Sequence, residues 1–383
     1  MQIQQKKWQQ ASGWVELSSS DIKDSAQWVM VFGSTKMVKD AAQLSLIQSW
    51  YPKAHILLCS TAGEIIGTQV LDDSLCLTAV SFAKTRLEFG QTMVSKATES
   101  EQAGKTLAGS IPHDGLVHVM VFSEGLKING TKLVDGLRNN LPPDISVTGG
   151  LVGDGAAFKE TVVGLDGPPV SGKVVVIGFY GTALRVGYGS FGGWDSFGPE
   201  RIITKSSDNV LYELDDKPAL ALYKEYLGEK TKELPGSGLL FPLSLRVKTK
   251  NGETNIVRTI LAVDEAAQSM TFAGDMPQGT PAQLMRANFD RVIDGAGEAA
   301  NLSIKRLENN EVELAILVSC VGRKLILQER TEEEIEAVQN VIGKKAVITG
   351  FYSYGELCPT AAAADQCQLH NQTMTVTMFH EVL

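Results

Sequence analysis

Three stretches of the sequence set a glycine directly before an acid at the end of an apolar run: Gly63-Glu64, Gly153-Asp154 and Gly355-Glu356. Glycine lets the chain take a positive φ or approach a neighbour closely, and the acid is then held at the mouth of a sheet, where ligands often sit. A carboxylate so placed can bind a polar ligand or exchange a proton with one. It can equally well end its strand by accepting backbone N–H bonds. Beside the third acid stand Tyr352 and Tyr354, whose broad rings each carry one hydrogen-bonding tip and suit the wall of a ligand cleft. The expected contacts to a ligand are therefore Tyr352, Tyr354 and Glu356, with Glu64 and Asp154 on the companion turns.

A second kind of chemistry is offered by His370. If residues 367 to 380 form one strand, the two-residue period puts His370 on the face of Met374, Val376 and Met378. An imidazole entering apolar surroundings is either a hydrogen-bonded core histidine or an axial ligand to haem iron. Cys358 is a further candidate iron ligand or a plain turn residue. His55, His113, His118 and His380 compete for the ligand role.

Other motifs are excluded. GYGSFG at 187 to 192 matches G-x-G-x-x-G, but Gly193, Trp194 and Pro199 follow where a phosphate-binding helix must begin. P-loop, H-E-x-x-H and G-x-S-x-G patterns are missing from the sequence, and the five histidines lack metal-ligand spacing. An enzyme is not expected, and a hydrolase or transferase working through the turn carboxylates is the remaining alternative. The net charge of −9 over 383 residues argues against a phosphate-reading surface, so nucleic acid is not an expected partner. No apolar run approaches the roughly 20 residues needed to cross a bilayer, and MQIQQKKWQQ lacks the apolar core of a signal peptide, so none is expected. Five cysteines without a C-x-x-C pair suit a reducing compartment, and a cytoplasmic location is expected.

The elements that carry these residues repeat. WVMVF (28 to 32), a helix from Ser34 to Tyr51 and HILLC (55 to 59) run into STAGE; HVMVF (118 to 122), a helix from Thr131 and ISVTG run into GLVGD. Val29 to Glu64 and Val119 to Asp154 both span 35 positions. The third copy is LAILVSC (314 to 320), a helix with a Thr331/Glu334 capping box, AVITG, then YSYGE. Further strands follow each turn, in SLCLTAVSF, VVVIGFYG and LHNQTMTVTMF. The fold class expected is mixed α/β, with strand-helix-strand-turn-strand units forming two domains. Between the second and third units lies a strand-rich region, and GEKTKELPGSG (228 to 238) is the best boundary signal, giving domains 1–228 and 229–383.

CSTAGEI, GLKINGTKLVDGL, GGLVGDGAAF, SCVGRK, GFYSYGEL and CQLHNQT occur in the order in which FIST proteins carry such motifs. The chain resembles the FIST family over nearly its whole length, departing at Cys358, where Ser or Ala is usual. The resemblance implies a FIST N domain before a FIST C domain and a sensory protein for small ligands such as amino-acid-like metabolites. The chain also resembles the branch of haem-containing nitric oxide sensors, NosP. That likeness implies haem on His370, a gas ligand, and a histidine kinase or other signalling protein as partner. Arg258 and Arg323 are the expected cations for the haem propionates.

Overall fold

Each repeat begins with two parallel strands whose residues are buried on both faces, which explains their unbroken apolar runs. The computed structural model describes residues 1–18, 20–234, 236–249, 252–360 and 367–382. In the first unit Trp28–Gly33 pairs in parallel with His55–Ser60, in the second Leu116–Ser123 with Ser146–Leu151, in the third Leu314–Cys320 with Val347–Ser353. A third strand returns antiparallel beside the first in every unit: Leu75–Ser81, Lys173–Tyr180 and Met374–Glu381. The architecture is mixed α/β.

The units are tied together by cyclic exchange. The short strand after each turn leaves its own sheet: Glu64–Ile66 of the first unit pairs with the third, Gly355–Pro359 of the third with the second, and Val163–Leu165 of the second with the first. The outer edges are traded as well, Arg86–Met93 joining the second sheet and Leu184–Phe191 the third. The inner faces of all three sheets meet in one core that includes Trp28, Phe32, Phe122, Phe179, Phe351 and Phe379. Helices cover the outside.

Those helices depart from expectation at their starts. The stretch from Ser34 breaks after Val38, and Asp40 caps Ala41–Trp50 by accepting from the N–H groups of Ala42 and Gln43. Asn129 likewise caps Gly130–Arg138. The Thr331/Glu334 capping box does not form: Thr331 donates to the carbonyl of Gln328, and Glu334 turns inward to pair with buried Arg323. A fully buried guanidinium needs a counter-charge more than the helix needs a second cap.

The strand-rich region forms a separate layer with its own apolar core, running from Asp195–Ser207 to Pro281–Arg286 and enclosing helix Ala219–Leu227. Position 228 falls just after that helix, within the layer; Pro235 of the boundary stretch lies outside the described residues. The long helix Phe289–Arg306 joins the layer to the third unit by packing on Leu184–Phe191. The glycines of GYGSFG have their reason here: a Cβ on Gly187 would stand 2.1 Å from the Ser303 carbonyl oxygen, and one on Gly189 2.4 Å from that of Ala299. They admit a helix backbone rather than a phosphate.

The expected single strand from 367 to 380 is two strands in two sheets. Cys367–His370 pairs with Gly355–Pro359, whereas Met374–Glu381 pairs with Leu314–Cys320, and Gln372, with φ of 61°, marks the break. The parity argument that joined His370 to Met374 and Val376 therefore does not hold.

Candidate functional site

The three turns meet each other. The Ala62 N–H donates to the Tyr352 carbonyl at 2.9 Å, the Tyr352 N–H to Gly63 at 2.8 Å, the Tyr354 N–H to Leu151 at 2.9 Å, and the Gly155 N–H to Thr61 at 3.0 Å. Two of the acids sit at equivalent points of the exchange: Glu64 opposes Phe351 and Glu356 opposes Gly150. On the remaining sheet that place is taken by Val163, opposite Cys59, and Asp154 stands earlier in a longer turn.

The two equivalent carboxyls are spent on their own turns. Glu64 accepts from the Thr61 hydroxyl at 2.6 Å and from the hydroxyl and N–H of Ser74 at 2.7 and 3.3 Å. Glu356 accepts from the Ser353 hydroxyl at 2.6 Å and from the hydroxyl and N–H of Thr373 at 3.0 and 3.2 Å. Both are buried, and burial pushes their pKa values up to about 7 and about 8, against the pull of those donors. Asp154 instead organises a loop, accepting the N–H groups of Phe158, Lys159 and Glu160 at 2.8 to 2.9 Å and the Tyr354 hydroxyl.

That loop lays Phe158 on Tyr354, ring centroids 4.4 Å apart and planes within 14°. The stacked pair borders a cleft of about 260 Å³ between the second and third units and the strand-rich layer. Its rim is apolar and open: Leu126, Phe158 and Leu261 are each exposed at 40% or more. Such a converging apolar rim is how ligand clefts differ from ordinary surface. Deeper in, Asn371 is 1% exposed, and both its amide nitrogen and its amide oxygen lack a hydrogen-bond partner; the buried Thr259 hydroxyl lacks one too. Buried polar atoms are almost always satisfied, so an unmet amide lining a cleft is a place for a ligand or water.

The other expected site residues do not join Tyr354 here. Tyr352 is fully buried and donates to Glu334 at 2.6 Å, in a cluster with Ser319 and Arg323. Arg323 also donates to the carbonyls of Gly192 and Val292, and buried Arg258 to those of Leu369, Asp275 and Val257. Desolvation lowers the Arg258 pKa to about 10. Both guanidiniums brace the protein's own carbonyls instead of facing a cavity as propionate anchors. Glu64 and Asp154 line one wide depression with Lys39 and Glu160.

His370 lines a different cleft, of about 600 Å³, with Phe191, Trp194, Met285, Arg246 and Arg291. Its Nε2 lies 2.9 Å from the Cys358 carbonyl, which fixes Nε2 as the N–H donor and leaves the lone pair on Nδ1. Burial lowers its pKa to about 4 and raises that of the Cys358 thiol to about 12, so imidazole and thiol are both neutral. No group of three or more His, Cys, Asp or Glu side chains arranged for a metal occurs among the described residues.

The FIST N domain model matches residues 27–217 and the FIST C domain model residues 219–359. The chain belongs to the FIST family. FIST domains are sensory, ligand-binding domains of signalling proteins. The family boundary at 217 to 219 falls inside the strand-rich layer, so the FIST N and FIST C matches do not follow the three structural units. An uncharacterised protein of Methanocaldococcus jannaschii is 24% identical over 362 residues, covering 84% of this chain, which spans 66% of that protein's length. A cyanuric acid hydrolase from A. caulinodans aligns over 94% of this chain and 91% of its own at 8% identity, with a TM-score of 0.35. No helix among the described residues is long and apolar enough to cross a membrane.

Asn371, Thr259, Phe158 and Leu261 were not marked by chemistry in the sequence. Asn371 lies within CQLHNQT, and its signal was present only as part of that motif.

Proposed function

We propose that this FIST protein senses a small molecule in the cleft bordered by Phe158, Tyr354 and Asn371, and that occupancy is passed to a partner signalling protein. The observation that carries the reading is the Asn371 amide, buried with neither polar atom bonded, beneath an open apolar rim. A ligand that meets the amide also contacts Phe158, and through Asp154 it acts on the loop that joins the turns of two units. Equilibrium dialysis of the full chain against a metabolite extract, read by mass spectrometry, tests this. A molecule retained by the unmodified protein and lost in Leu261→Trp, which fills the mouth, is expected; equal retention by both proteins contradicts the reading. A histidine kinase is the proposed partner, and a kinase whose autophosphorylation ignores the protein, loaded or not, is thereby removed.

A second reading has one observation in its favour. His370 in the larger cleft is a neutral imidazole with one nitrogen held by a carbonyl, the arrangement that orients a metal-binding histidine. His370 would hold haem, while Cys358 lends only its carbonyl, and Arg246 and Arg291, which would have to exchange their partners Glu200 and Asp195 for propionates, replace Arg258 and Arg323 as the cations at that cleft. Bound haem would offer its free face to a diatomic gas such as nitric oxide. A Soret band on reconstitution that His370→Ala removes and Cys358→Ala leaves in place is the expected result; absence of stoichiometric haem binding ends this reading.

A further inference from the structure

The smaller cleft also carries information on the charge of its occupant, an inference that rests on that cleft being the ligand site. Its lining contains no Asp, Glu, Lys, Arg or His among the described residues. Most of its polar side chains are already used. Asn209 donates to the Phe272 carbonyl at 2.8 Å, Asn129 donates to Asp275 and caps the helix at Lys132, and the Tyr354 hydroxyl is held by Asp154 and Gly155. Among the buried side-chain atoms of the lining, what remains unspent is the Asn371 N–H₂ donor, its carbonyl acceptor, and the Thr259 hydroxyl, which serves as either.

The charges behind the wall, Asp154 on the Tyr354 hydroxyl among them, are already partnered. The Arg258 guanidinium lies behind Gly274, its N–H groups on protein carbonyls, and the Asp275 carboxylate is bonded to Asn129. A carboxylate placed against Asn371 meets the amide oxygen as well as the N–H₂, and an ammonium meets the reverse conflict. With no counter-ion in the lining, burying either is disfavoured, whereas a neutral donor–acceptor edge forms two antiparallel N–H···O bonds with the amide.

We infer that the ligand is an uncharged molecule presenting a hydrogen-bond donor and acceptor side by side, such as a carboxamide, a lactam or the edge of a nucleobase, with an apolar or aromatic body against Phe158 and Leu261. A zwitterionic amino acid does not match this lining.

Calorimetric titration of the full chain at neutral pH with two matched pairs, nicotinamide against nicotinate and uracil against orotate, tests the inference. At least one neutral member binds, and its acid is weaker by about tenfold or more. Asn371→Leu abolishes that binding, with a melting curve at or above that of the unmodified chain showing that the variant folds. The inference is overturned if an acid binds as tightly as its neutral partner, if no member of either pair binds, or if Asn371→Leu leaves binding intact. Acid binding that Leu261→Trp abolishes would keep the cleft as the site and reject only the neutral ligand. Neutral binding that Leu261→Trp leaves untouched would reject the cleft itself.

Discussion

Glu356 and Asn371 are both buried beside the third turn, and they are opposites in how their polar atoms are used. The carboxyl of Glu356 receives three hydrogen bonds from Ser353 and Thr373, while the amide of Asn371 receives and donates none. A satisfied buried group holds the protein together; an unsatisfied one costs stability and calls for a partner. By that measure the acids, which look like the chemistry in the sequence, belong to the closure of the three units, and the site belongs to a plain asparagine.

The comparison is broken most severely by orphaning a charge in the satisfied network. Glu334→Ala leaves Arg323 buried without its carboxylate and should cost about 3–5 kcal/mol in urea unfolding. A loss under about 1 kcal/mol would show that the network is not what holds the third unit. Glu356→Ala strands the donors of Ser353 and Thr373 and should cost about 1–3 kcal/mol, with ligand binding retained by whatever fraction is folded.

A titration sharpens the same contrast. Folded Glu64 and Glu356 keep their protons up to about 7 and about 8, while unfolded glutamates release theirs near 4.5, so between those values the folded state binds more protons. Stability is then full below 4.5 and falls as pH rises through about 7 and 8, by at most about 1.4 kcal/mol per pH unit for each carboxyl. Glu64→Gln and Glu356→Gln should each flatten that decline. A slope unchanged in both variants would assign the pH dependence to other groups.

Much of the scaffold was legible because its signals are local. The runs at Trp28, Leu116 and Leu314 are apolar on both faces, and the turns recur after a helix of similar length, so the three strand-helix-strand units follow from pattern. The exchange of Glu64–Ile66, Val163–Leu165 and Gly355–Pro359 among sheets does not, since three- to five-residue strands pairing across the chain leave no periodic trace. The break at Gln372 was hidden in a run that alternates like one strand, and with it went the placing of His370. Tyr354 lines the cleft, but Tyr352, with the same ring, is bound to Glu334 from a helix no local pattern connects to it. Asn371 was invisible as a site because its distinguishing property, the lack of any partner, exists only in three dimensions.

The most direct measurement compares Asn371→Leu with the unmodified chain in paired thermal melts and metabolite dialysis. Removing an unpaired buried amide for a side chain of similar size leaves stability unchanged or raises it by up to about 1 kcal/mol, while retention of the ligand is lost. A variant destabilised by more than about 2 kcal/mol that still retains the ligand would contradict the account, because Asn371 would then be part of the scaffold and the cleft would owe its ligand to other residues.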